Sequence, residues 1–198
     1  SFDSQTKETL TTKVSKFGST YTFNKKFLAQ ILKSSIIEKI LYEVELRNIR
    51  DLQKNDGKKK NKLYGIPKLE DAHWAGTKKS SQCTLILTEG DSAKSMAVAG
   101  LSIIGRQKYG IFPLKGKLLN VKDISTVKIS NNNEITNIKK ILGLKNNKKY
   151  ETLDELRYGK IMILTDQDVD GSHIKGLLFN LFHTMWPELL SKHQFMLS

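Results

Sequence analysis

Two short acidic clusters in a basic chain are the residues best suited to chemistry. One is Glu89-Gly90-Asp91-Ser92-Ala93-Lys94 and the other is Asp166-Gln167-Asp168-Val169-Asp170-Gly171. Carboxylates crowded onto one spot repel each other unless they hold divalent cations, which favour such hard oxygen ligands. Metal ions held this way can stabilise both the attacking and the leaving oxygen of a phosphoryl transfer. The 198 residues include 33 Lys and Arg against 20 Asp and Glu, a formal net charge of +13. A magnesium site in so basic a chain suggests phosphodiester chemistry on a nucleic acid. Charge alone decides less, because lysines also solvate exposed faces.

The clusters need elements to bring them together. Each follows a short apolar run that reads as a buried strand, 83–88 before the first and 161–165 before the second. Strand, polar loop, then helix is how an α/β sheet presents residues at its carboxyl edge, where ligands bind. If the second strand runs past Thr165, Asp166 and Asp168 point to the same side. Glu89, on a neighbouring strand end, would complete the set. The alternating Asp spacing also resembles the start of a calcium-binding loop. That reading fails because Leu177 stands where a bidentate Glu is needed and the preceding run is strand-like rather than helical.

Around these clusters the pattern alternates strands with helices, which argues a mostly parallel sheet. A small-residue helix is expected over 92–99, stopped by Gly100. A second strand and loop cover 110–121, a helix 134–143, a strand 160–165 and a closing helix 173–190. Upstream, residues 1–23 are polar and Thr-rich with a strand-like segment at 19–23. Asn24 is an N-cap candidate for one long amphipathic helix over 24–53. Lys54–Lys62 reads as a charged, solvated linker that could also touch DNA, and residues 63–82 as an irregular arm. The one cysteine, Cys83, has no disulfide partner in the chain, so a reducing compartment is the default. No apolar run approaches a membrane span. Both ends stop mid-pattern, as expected of a piece of a longer protein.

Gly110-Ile-Phe-Pro-Leu-Lys-Gly-Lys117 invites a P-loop reading, but its spacing is one residue out and Leu118 replaces the metal-binding Ser or Thr. Lys115 and Lys117 around Gly116 suit backbone phosphates instead, which carry little sequence preference. His73, His173, His183 and His193 do not form a ligand set. His173 follows the Asp cluster at a helix start, within reach of a bound phosphate.

At these residues the chain resembles the type II DNA topoisomerases, through the Toprim domain they share with primases and some nucleases. The resemblance rests on Glu89–Lys94, Pro113–Val121 and Leu156–Leu178, taken in order, and spans nearly the whole chain. Asp166-Gln167-Asp168 and the Gly65–Ala72 arm resemble the eukaryotic branch. The resemblance implies an α/β, Rossmann-like Toprim fold over 83–198. The linker and arm (54–82), a connector helix (24–53) and the end of a transducer domain (1–23) would precede it. It implies Glu89 and Asp166 as ligands of one Mg²⁺, Asp166 and Asp168 as ligands of a second, and Asp170 in support. It implies DNA contacts from Lys115, Lys117 and Asn120, alongside His173. Lys115 stands where Arg is common and lacks its bidentate fork. Gln5, Thr6 and Lys7 resemble the loop that senses ATP bound in a domain upstream.

The implied whole is a nuclear, homodimeric, ATP-dependent enzyme that passes one DNA duplex through another. Its nucleophilic tyrosine would lie beyond this chain, since Tyr158 sits inside a Toprim block and reads as structural. Two other classes remain: a Toprim-type nuclease using water as nucleophile, and a non-catalytic DNA-binding module with a vestigial metal site.

Overall fold

A computed structural model of the chain describes residues 1–18 and 22–198. They form two compact units, Ser1–Glu45 and Leu46–Ser198. In the first unit, an antiparallel bridge between Phe2 and Leu10 closes a loop. Within that loop the Lys7 amide donates to the Ser4 carbonyl at 3.2 Å, with Lys7 in the left-handed region at φ 58°. The expected strand at 19–23 lies mostly outside the described residues.

The single helix expected over 24–53 is two helices. α1 (Lys25–Lys33) begins at Asn24, whose side chain accepts the Lys26 amide at 2.9 Å. It ends at Ser34, which is extended at φ −81°, ψ 158°. The Ser34 hydroxyl donates to the Ile31 carbonyl at 2.6 Å and accepts the Ile36 amide at 3.4 Å. Such local bonds compete with the helical ladder. α2 (Ile36–Lys54) starts on the far side. The apolar spacing continues across the break, so periodicity alone conceals it.

The second unit is built on a four-stranded, all-parallel sheet of order β2-β1-β3-β4. The strands are β1 (Thr84–Glu89), β2 (Tyr109–Leu114), β3 (Lys160–Leu164) and β4 (Met196–Leu197). α3 (Gly90–Ile104) connects β1 to β2; it runs through Gly100 and ends at Gly105, whose φ of +87° suits a helix stop. Gly100 therefore does not terminate the helix as expected. α4 (Thr126–Ser130) and α5 (Asn133–Leu142) follow β2. Asn132 caps α5 through the Ile135 amide at 3.0 Å, and Gly143 ends it in the left-handed conformation. α6 (Val169–Met185) begins four residues earlier than expected. It breaks at Trp186, because the following Pro187 disfavours helical backbone there, and α7 (Pro187–Leu190) follows.

Strand alternation sorts the core onto the two sheet faces. Leu85, Leu87, Phe112, Leu114, Ile161 and Ile163 join α5 and α6 residues such as Ile138, Ile174 and Phe182 in the main cluster. Ile86 and Ile111 face Leu101 of α3 in a smaller one. The arm is irregular, as expected, yet not loose. Glu70 exchanges two backbone hydrogen bonds with Ile111, at 2.8 and 2.9 Å, along the outer edge of β2. The Lys54–Lys62 segment is likewise pinned rather than free. The Gly57 amide donates to the Leu144 carbonyl at 2.7 Å, and the Lys60 carbonyl accepts Arg157 Nε at 2.7 Å. Among the described residues no helix is long and apolar enough to cross a membrane.

Candidate active site

Parallel register decides what meets at the carboxyl edge of the sheet. Thr88 pairs with Leu164 on one side, and Glu89 with Leu114 on the other. Glu89 therefore stands level with the start of the 165–168 loop and beside the Lys115-Gly116-Lys117 loop. Gly90 follows with φ +75°, which lets the chain turn straight from β1 into α3. The three loops named from the sequence share one edge because their strands are neighbours, the arrangement that places ligand sites in open α/β sheets.

Glu89 is partly buried, and its Oε2 is fully enclosed without a hydrogen-bond partner. A buried carboxylate oxygen left unpaired costs free energy, on the order of 1–3 kcal/mol or more for a charged group. β3 ends at Leu164, so the strand does not run past Thr165 as the same-side argument requires. The Asp loop is shaped instead by the start of α6. Asp168 is its N-cap, with Oδ1 accepting the Gly171 amide at 2.7 Å. A side chain on Gly171 would collide with the Asp166 carbonyl oxygen and approach Thr165 Oγ1. Asp166 and Asp168 are both exposed.

The remaining acids at this edge are turned to lysines. Asp170 pairs with Lys117 Nζ at 2.9 Å, and the Lys117 hydrogen bond and charge hold its carboxyl below the usual range. Asp91 pairs with Lys68 of the arm, which likewise lowers its pKa. This partner is not legible in the sequence, because Lys68 lies more than twenty positions from Asp91 in a segment without periodicity. Asn120 Oδ1 accepts Asn180 Nδ2 at 2.7 Å and the Lys122 amide at 3.1 Å, tying the loop after β2 to α6. His173 lies in the first turns of α6, exposed, where its charge adds to the lowering at Asp170. Lys115 is exposed at the end of β2.

Among the described residues no three His, Cys, Asp or Glu side chains are close enough together to share a metal ion. The donor chemistry nevertheless fits one. Glu89 offers a buried, unpartnered hard oxygen, and two exposed carboxylates stand on the adjoining loop. Gln5, Thr6 and Lys7 belong to the first unit. Thr6 Oγ1 and Ser4 Oγ lie 2.8 Å apart there.

Tyr158 is fully buried, unlike a nucleophile. Its hydroxyl accepts the Ala72 amide at 2.9 Å and donates to Asp71. Burial first, then the Asp71 charge, pushes its pKa far above the ordinary phenol value.

A parallel α/β sheet with acidic loops after two adjacent strands defines a Rossmann-like domain. Residues 84–197 match the Toprim domain, and the chain belongs to that family. Over 192 residues it is 57% identical to DNA topoisomerase 2 of Drosophila melanogaster, covering 96% of this chain and 13% of that protein. Over 204 residues it is 54% identical to DNA topoisomerase 2 of Plasmodium falciparum (isolate K1 / Thailand), covering 100% of this chain and 14% of the relative. A solved structure described as the Plasmodium falciparum topoisomerase II DNA-binding, cleavage and re-ligation domain superposes with a TM-score of 0.68. It is 59% identical and covers 69% of this chain and 19% of its own. The chain thus spans about an eighth of the length of the curated relatives it matches.

Proposed function

We propose that this chain is the metal-binding half of the DNA cleavage and religation site of an ATP-dependent type II DNA topoisomerase. The observation that carries the reading is the buried, unpartnered Oε2 of Glu89, beside the Asp166–Asp168 loop on the carboxyl edge of a Toprim sheet. Glu89, Asp166 and Asp168 would hold two Mg²⁺ ions, with Asp170 in support. Those ions would supply positive charge to the oxygens of the phosphodiester being broken and remade.

The chain's own residues bind and orient. Lys115, Lys117, Asn120 and His173 border the same edge and suit the phosphates of double-stranded DNA. Lys117 is held by Asp170 and would exchange that partner for a phosphate. Tyr158 is excluded as nucleophile by its burial and raised pKa; the attacking tyrosine would come from outside this chain. Residues 1–23 would form the end of a transducer domain, with Gln5, Thr6 and Lys7 facing ATP held elsewhere. α1 and α2 would connect it to the Toprim domain. The whole enzyme would be a homodimer working in the nucleus.

The test compares the full-length protein and its Glu89→Gln variant in plasmid relaxation with ATP and Mg²⁺, alongside nicking by this chain alone. Relaxation lost in Glu89→Gln, with no nicking by the isolated chain, supports the proposal. Metal-dependent nicking by the chain alone, abolished in Glu89→Gln, would replace it with a nuclease that uses water.

A further inference from the structure

The Lys54–Lys62 segment carries charge that nothing in the acidic edge uses. Lys58, Lys60 and Lys62 line a cleft of about 340 Å³ with Lys140 of α5, Leu63 and Tyr64. Among the described residues none of these four lysine side chains makes a hydrogen bond or an ion pair. The other basic groups nearby are occupied. Lys59 donates to the Asp154 carbonyl, and Lys139 pairs with Asp56 at 3.3 Å while donating to the Leu52 carbonyl at 3.2 Å. Asp56, the one acid lining the cleft, is taken up by Lys139 and by the Asn146 amide at 2.9 Å.

The backbone that carries these lysines is fixed. The Gly57 amide donates to the Leu144 carbonyl, and any side chain at Gly57 would strike the Lys139 carbonyl and Gly143. The buried Arg157 holds the Lys60 carbonyl, and Gly76 packs directly against that same carbonyl. A flexible linker could spread its like charges apart. The anchored backbone limits such spreading, so four exposed, unpaired lysine side chains border one concavity, the arrangement that concentrates anions. Burial chiefly, and to a lesser degree the charge on Lys140, lowers the pKa of the neighbouring Lys139 against the opposing effect of Asp56.

The cleft is also remote from the acidic loops. Arg157 precedes β3, so Lys60 lies toward the amino edge of the sheet, whereas Glu89 ends β1 at the carboxyl edge. Six strand residues separate the edges by roughly 20 Å, so the two sites cannot share a phosphate.

The geometry points to a second phosphate-binding site, in which Lys58, Lys60, Lys62 and Lys140 clasp the phosphates of a nucleic-acid backbone or of a free polyphosphate. Each ammonium is a flexible point charge with three donors, suited to phosphate oxygens without regard to base sequence. Tyr64, 86% exposed, stands at the rim. The inference does not depend on the reading of the acidic edge.

The experiment replaces all four lysines with Gln in the full-length protein. A second variant carries Gln at Lys33, Lys39, Lys128 and Lys149, which are exposed and unpaired and remove equal charge. Both are first matched to the parent by circular dichroism and melting temperature. One arm measures affinity for a labelled duplex across a salt series. If the cleft clasps backbone phosphates, the slope of log K against log salt falls by about 3 in the cleft variant and stays within about 1 of the parent in the control. The other arm titrates inorganic tripolyphosphate by calorimetry. If the phosphates are those of a free ligand, saturable binding disappears in the cleft variant alone while the duplex slope is unchanged. Either result supports the site and names its source. Equal behaviour of the two variants in both arms would overturn it. Metal affinity, which reports on Glu89, should be the same in all three proteins and keeps this test separate from that of the proposed function.

Discussion

Arg157 and Asp71 form an ion pair at 2.5 Å in which the guanidinium is wholly buried, joining the irregular arm to the residues just before β3. Arg157 spends its other donors on the Lys60 carbonyl at 2.7 Å and the Ile141 carbonyl at 2.8 Å. Two segments that periodicity does not define, the arm and the lysine-rich stretch, are thereby tied by one side chain to α5 and to the chain entering β3. Removing one partner from such a pair leaves an uncompensated charge and typically costs about 3–5 kcal/mol. Asp71→Asn should therefore lose stability on this scale in urea unfolding, and protease should cut first within the arm. A midpoint within experimental error of the parent would show that the arm is held by other contacts.

The Tyr158 hydroxyl bonds both Asp71 and the Ala72 amide, and a side chain at Gly110 would collide with it. Tyr158→Phe leaves those partners unsatisfied and should cost about 1–3 kcal/mol. Relaxation by the full-length variant should continue at temperatures where it remains folded. Loss of DNA cleavage in a folded Tyr158→Phe protein would make this tyrosine catalytic and contradict its structural role.

Cys83 is fully buried just ahead of β1, and its thiol is pushed from 9.0 up to about 11, first by burial and then by the Asp71 charge. The raised value means that the folded protein favours the neutral thiol. Its stabilisation is complete below pH 9 and lost as pH rises through about 11. Lys139 runs the other way, since burial lowers its pKa, but that contribution is common to any Cys83 variant. The stability of the parent relative to Cys83→Ala should be flat up to pH 9 and fall between pH 9 and 11. A difference that stays constant across this range would mean that the folded thiol titrates normally.

Sequence patterning revealed the sheet because β1 and β3 are short apolar runs ending in acids, a signal confined to a few consecutive residues. It located Glu89, the Asp loop and the Lys115–Lys117 loop at strand ends, and adjacency in the sheet then brought them to one edge. It could not resolve features that depend on distant partners. The Ser34 break leaves apolar spacing intact, so the two helices look like one. Lys68 and Asp71 act through Asp91 and Arg157, far away along the chain, and neither segment carries a periodic cue. The lysine-rich stretch reads as a linker from composition, yet Gly57 and Arg157 anchor it. β4 is two residues long and exists only because Ile161 and Met162 offer it a register.

Glu89 gives the most direct test of the proposed metal site. Without metal, Glu89→Gln should match the parent or be more stable by about 1–3 kcal/mol, since the neutral amide relieves the cost of a buried, unpaired carboxylate oxygen. Saturating Mg²⁺ should stabilise the parent by about 2.7 kcal/mol at a concentration near one hundred times Kd. Most of that gain should vanish in the variant. Thermal unfolding across a Mg²⁺ series, repeated with Mn²⁺, measures both quantities. An equal upshift in the two proteins would place the ion away from Glu89.

The two glycines of α6 separate a general helix effect from one specific to the Asp loop. Gly176 has open space where a side chain would project, so Gly176→Ala should stabilise the protein by about 0.5–1 kcal/mol through helix propensity. Gly171 has none, because its position is filled by the Asp166 carbonyl and Thr165 Oγ1. Gly171→Ala must push the loop away from the helix, at a cost of roughly 1–3 kcal/mol for such overpacking. The shift would displace Asp166 from its present position, so affinity at the proposed metal site should fall at least tenfold, while Gly176→Ala leaves it unchanged. Urea unfolding and Mn²⁺ titration of the two variants decide the matter. If Gly171→Ala lowers stability without weakening metal binding, the tight Asp166–Gly171 contact serves the fold alone and does not position the Asp loop.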